Sequence, residues 1–221
     1  MSVNAPHSVE KPVRLLVLVS GGGTNLQALI DAEKEGTLGV SVARREEKVP
    51  GPLARIVGVI SDRPDVYALE RAKIAEIPVW TEAPNKALPG DDRREELSAR
   101  ILVHAKALNV DLIILAGFLS ILKGPIVETY AGRMMNLHPA LLPKYGGAGM
   151  YGDKVHAAVL AAKEIESGCT VHLVDSGTDT GPIILQRRVP VFPSDTPETL
   201  AKRIHTEEHK AIVEAVAILI R

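Results

Sequence analysis

The run Arg14-Leu-Leu-Val-Leu-Val19 passes directly into Ser20-Gly-Gly-Gly-Thr-Asn25. An uninterrupted apolar stretch of this length fits a strand buried on both faces, as in a parallel sheet. From Thr24 the pattern turns helical: Leu26, Leu29 and Ile30 share one face, and Gly36 marks the expected end. Outward from this unit the alternation repeats. Further strands are expected at residues 56–60, 78–80, 112–115, 134–137, 170–174 and 183–191. Helices are expected at residues 67–75, from an Asp91 or Asp92 cap to 108, at 125–130, at 154–166 and at 196–220. Strands and helices alternating at this spacing imply right-handed βαβ units, hence an α/β fold with a twisted, mostly parallel sheet and helices on both faces. Ligands of such sheets sit beyond the carboxyl ends of the strands.

Composition narrows the function classes. The 221 residues, 46% hydrophobic and 24% charged, suit one globular domain, read here as residues 13–221 behind a polar leader at 1–12. That leader has no hydrophobic core, so a signal peptide is not expected, and no apolar run reaches membrane-spanning length. A net charge of −1 supplies no basic footprint for nucleic acid. Cys169 is the single cysteine, which excludes an intrachain disulfide and points to a reducing, cytoplasmic setting. Its place at the head of an apolar strand argues against a nucleophilic role. The charged stretch from Arg44, closed by Pro50-Gly-Pro52, is expected to be a surface loop.

Three strand ends hold the residues that carry chemistry. The glycine turn before Leu26 would present free amides and a helix dipole to an anion. It is not a dinucleotide fingerprint, whose third glycine would fall at Leu26, nor a Walker loop, which needs a lysine. A tight β–α turn that binds nothing is the alternative. In Asn136-Leu-His-Pro139, strand alternation places Asn136 and His138 on the same side. An amide donor beside an imidazolium is suited to a developing oxyanion. Asp179, on the Asp175-Ser-Gly-Thr-Asp179 turn, is the candidate carboxylate that would favour the imidazolium. Taken singly, His138 also fits a hydrogen-bonded strand terminus and Asp179 an ordinary turn residue. His205 and His209 stand one helical turn apart, but Thr206 replaces the glutamate a zincin needs, so no metal is expected.

Together these segments resemble the phosphoribosylglycinamide formyltransferases, folate-dependent enzymes of purine synthesis. The likeness rests on Leu18-Val-Ser-Gly-Gly-Gly-Thr-Asn-Leu-Gln-Ala28, Leu115-Ala-Gly-Phe-Leu-Ser-Ile-Leu122 and Asn136-Leu-His-Pro-Ala-Leu-Leu-Pro-Lys144. It extends through Gly168-Cys-Thr-Val-His-Leu-Val-Asp175, Asp179-Thr-Gly-Pro-Ile-Ile-Leu-Gln186 and Thr206-Glu-Glu-His209. The resemblance implies a three-layer formyltransferase fold with a Rossmann-like amino-terminal half. It implies transfer of the formyl group of 10-formyltetrahydrofolate, as co-substrate, to the amine of phosphoribosylglycinamide. It assigns Asn136, His138 and Asp179 to catalysis, and Gly23, Thr24 and Asn25 to the substrate phosphate. His205, Thr206, Glu207 and Glu208 would contact the same nucleotide, with Glu208 at the ribose. Leu119, Ser120, Ile121 and Leu122, with Asn136 and with Asp175, Ser176, Gly177, Thr178 and Asp179, would line the folate site; Arg93 would stand near its glutamate. Small molecules would be the partners, with neither nucleic acid nor membrane.

Two segments depart from the family pattern, the Arg44 to Pro52 insertion and the Gly146 to His156 loop, and no contact is assigned to the latter. Methionyl-tRNA formyltransferase shares the His-Pro-x-Leu-Leu-Pro region but would need a carboxy-terminal RNA-binding domain and a basic surface. Formyltetrahydrofolate hydrolase shares the core but usually carries an amino-terminal regulatory domain. A catalytically silent nucleotide-binding module is the reading from another class, and the intact trio opposes it.

Overall fold

The computed structural model describes residues 11–41 and 53–220. Residues 1–10 of the leader and the 44–52 insertion lie outside that range. Seven strands form one sheet: β1 (Val13–Val19), β2 (Ala54–Ser61), β3 (Val79–Thr81), β4 (Leu112–Leu115), β5 (Met134–His138), β6 (Glu166–Leu173) and β7 (Ile183–Pro190). Their order is β3-β2-β1-β4-β5-β6-β7. The first five are parallel, whereas β6 pairs antiparallel with β5 and β7 antiparallel with β6. The helices are α1 (Thr24–Lys34), α2 (Tyr67–Ile74), α3 (Gly90–Ala107), α4 (Pro125–Thr129), α5 (Asp153–Ala161) and α6 (Pro197–Leu219).

Period-two alternation along β1 builds both faces of the core. Leu15, Val17 and Val19 pack with Leu29 of α1, Ala68 of α2, Val159 of α5 and Ile212 of α6. Leu16 and Leu18 point the other way, to Leu97 and Ile101 of α3 and Ile126 of α4. Each such leucine, fully buried, contributes about 1.5–3 kcal/mol, which is why the apolar run specifies a central strand. The result is the expected three-layer α/β architecture. Strand order reverses between β1 and β4, so the loops that follow them leave a crevice at their carboxyl ends.

Two expectations need correction. The helix read as 154–166 ends at Ala161, where Ala162 caps it and Lys163 takes φ 52°. Residues from Glu166 onward are claimed by pairing with β7, Glu166 against Pro190, so tertiary pairing overrides local helical preference. Neither Asp91 nor Asp92 caps α3: Pro89 precedes the helix, and both aspartates lie in its first turn, where their charge suits the dipole.

Candidate active site

The glycine turn leads into α1 with Gly23 as its N-cap at φ 72°, and no side chain caps the first turn. The first helical bond is Gln27 N–H to the Gly23 carbonyl, 2.9 Å, so the amides before it remain free to donate outward. A Cβ on Gly23 would meet the Ala68 Cβ at 2.6 Å, so packing and backbone both demand glycine there. At Gly21 and Gly22 a Cβ would meet nothing within 4 Å; these two border open space. Arg71 stiffens the loop from behind, donating to the Gly22 carbonyl at 2.8 Å and to Gln27 at 3.0 Å.

That space belongs to a cavity of about 560 Å³ at the crevice. One end is bounded by Gly21 to Asn25, His205 and Glu208. Asn25 donates to Glu208 at 3.1 Å, and burial raises the Glu208 carboxyl above its ordinary pKa. Thr206 and Glu207 are not on the wall: the Thr206 hydroxyl bonds the Lys202 carbonyl, and Glu207 pairs with Arg187 and Lys210. Helical geometry explains the split, since positions three apart share a face and those between do not. The other end is bounded by Leu119 to Leu122 and by Asp175, Gly177, Thr178 and Asp179, without Ser176. The Leu119 amide is fixed on Ser20 Oγ at 2.8 Å, and Ser120 donates to Asp62 at 2.6 Å. Arg93 lies off the cavity, its guanidinium bonded to the Leu88 and Lys86 carbonyls.

Between these ends, Asn136, His138 and Asp179 converge. Asp179, itself at φ 58°, brings Oδ2 to 3.5 Å from His138 Nδ1 and accepts from the Gly147 amide at 3.0 Å. Asn136 Nδ2 donates to Asp179 Oδ1 at 3.3 Å. His138 Nε2 donates to the Tyr145 carbonyl at 2.8 Å. Burial would raise the Asp179 carboxyl, but the His172 and His138 rings and the Gly147 amide outweigh it, and its pKa lies below the usual value. His138 corrects an expectation. Burial lowers its pKa, and the upward pull of Asp179 and of the Tyr145 carbonyl does not restore it. The carboxylate acts in the expected direction, but desolvation of a ring only 4% exposed is stronger.

Sequence reasoning missed two histidines. His172 faces Asn136 across the β5–β6 pair, with Nε2 3.1 Å from Asn136 Nδ2 and 3.5 Å from Asp179 Oδ1. Only the antiparallel register reveals it. His156, on α5, also lines the cavity. Cys169 is buried with its thiol pushed up to about 12, as an inert core residue requires.

Residues 13–216 match the formyl transferase family model. Phosphoribosylglycinamide formyltransferase of Escherichia coli (strain K12) is 36% identical over 89% of this chain and 82% of its own length. The trifunctional purine biosynthetic protein adenosine-3 of Drosophila melanogaster is 43% identical over 94% of this chain, which spans only 14% of that protein. Among solved structures, phosphoribosylglycinamide formyltransferase from Coxiella burnetii is 38% identical with a TM-score of 0.77, covering 94% of this chain and 86% of that one. The chain therefore belongs to the formyl transferase family and, within it, to the phosphoribosylglycinamide formyltransferases.

Proposed function

We propose that the cavity joins phosphoribosylglycinamide to 10-formyltetrahydrofolate and that Asn136, His138 and Asp179 carry the transfer. The observation behind this is the convergence of those three side chains midway between an uncapped helix amino end and a wall of irregular backbone. The helix end and Glu208 suit a ribose phosphate. Residues 116–124 lie outside strand and helix, so their backbone donors and acceptors can meet the polar edge of a pterin. In the reaction the acceptor amine attacks the formyl carbon, and negative charge develops on the formyl oxygen. Asn136 donates to that oxygen. His138 shares its stabilisation, with Asp179 raising the ring's proton affinity against burial. The new C–N bond forms, the bond to the folate nitrogen breaks, and the amine proton leaves with tetrahydrofolate. His205 and Glu208 hold the nucleotide, while Thr206 and Glu207 support them from outside the cavity. The single buried cysteine suits a reducing compartment such as the cytoplasm.

The test is tetrahydrofolate release with phosphoribosylglycinamide, with its dephosphorylated form, and with no acceptor. Release should require the phosphorylated amine. Equal release without acceptor would instead identify a hydrolase.

A further inference from the structure

None of the described residues lining the cavity is lysine or arginine, although Asp175, Asp179 and Glu208 contribute carboxylates. A bound phosphate dianion needs positive charge from somewhere, and among the described residues the cavity wall offers only histidines. His138 and His172 are engaged with Asp179 at the reaction centre. His156 is not. It is 2% exposed, its Nδ1 is sealed from solvent with no hydrogen-bond partner, and the residue is among those that line the cavity. It sits on the fourth residue of α5, whose N-cap, Gly152, lines the same cavity and offers no side-chain cap. Two helix amino ends, those of α1 and α5, thus open on one space.

We propose that His156 donates to the phosphate of the acceptor and takes up a proton when that phosphate binds. The inference rests on the acceptor being a phosphorylated amine. Before binding, burial and the nearby His205 and His138 rings hold the His156 pKa below its ordinary value, against the pull of Asp153 in the first turn of α5. His205 in turn has the Glu208 carboxylate 3.8 Å away. A lysine here would be a stranded buried charge in the empty site, whereas an imidazole becomes charged only with its counterion present. The specificity that results is for a dianion over a neutral group of similar size.

Calorimetric titration of the full chain with phosphoribosylglycinamide, near pH 7 in two buffers of different ionisation enthalpy, tests this. The parent protein should take up protons on binding. His156→Gln should lose most of that uptake and bind about 10- to 100-fold more weakly, the range for one charge-assisted hydrogen bond. The loss should appear in the acceptor KM, and the dephosphorylated acceptor should bind both proteins equally. Unchanged proton uptake in the variant, or equal losses on both acceptors, would overturn the proposal. If His156→Gln does not fold, NMR of the parent must show the His156 ring moving toward imidazolium as inorganic phosphate is added; an unmoved ring is a refutation. Failure of the function itself would look different, as a parent protein that binds inorganic phosphate with proton uptake yet transfers no formyl group.

Discussion

The His138 ring lies between the Asp179 carboxylate, 3.5 Å from Nδ1, and the Tyr145 carbonyl, 2.8 Å from Nε2, so both nitrogens face acceptors. Such a setting favours imidazolium, and burial opposes it strongly enough to hold the pKa below its ordinary value. His138→Ala should cost about 10²–10⁴ in turnover, the range for a positioned acid–base group, with little change in nucleotide binding. In Asp179→Asn the raising influence disappears, so the His138 pKa should fall further by NMR titration. The alkaline limb of the rate profile, where imidazolium is lost, should then move to lower pH. Because the residues touch, the double variant should be little worse than the more damaging single one. Additive losses with an unmoved His138 titration would reduce Asp179 to a turn residue.

The glycine turn separates two demands that the sequence writes with one letter. Gly23 serves the backbone: φ 72° and the 2.6 Å approach of Ala68 leave no room for a side chain. Gly23→Ala should therefore destabilise the protein by about 1–3 kcal/mol in urea unfolding, the usual scale for a strained or crowded position. Gly22 serves the cavity, where an added methyl meets no protein atom. Gly22→Ala should unfold within about 1 kcal/mol of the parent yet bind the phosphorylated acceptor more weakly. A Gly22 variant that binds normally would show that no ligand approaches the loop there. The same contrast governs α5, whose expected length to residue 166 was cut to Ala161 because β7 offered the following segment a better partner than another helical turn.

Among the described residues, burial depresses three histidines, His138, His156 and His209. In each the folded pKa lies below the ordinary 6.5, so between those values the unfolded chain binds more protons than the folded one. Stability should therefore be full above about pH 6.5 and decline as pH falls toward the folded pKa values. Urea unfolding across this window should show the decline, and His156→Gln should flatten it. A parent curve without slope there would mean that these rings are not held neutral.

What was legible in the sequence was whatever short-range pattern encodes. Residues 15–19 could be read as a buried strand because every side chain is apolar, and Asn136 and His138 as neighbours because strands alternate. The resemblance implied nucleotide contact along the whole 205–208 stretch, and of it only His205 and Glu208 line the cavity. Tertiary structure alone decided the rest. Register across β5 and β6 set His172 against Asn136, 36 positions away in the chain. The loop after Pro143 brought the Tyr145 carbonyl to His138 and the Gly147 amide to Asp179. Most of all, the protonation of His138 could not be read from its neighbours' charges, because desolvation depends on everything packed around a ring, and only the folded chain supplies that.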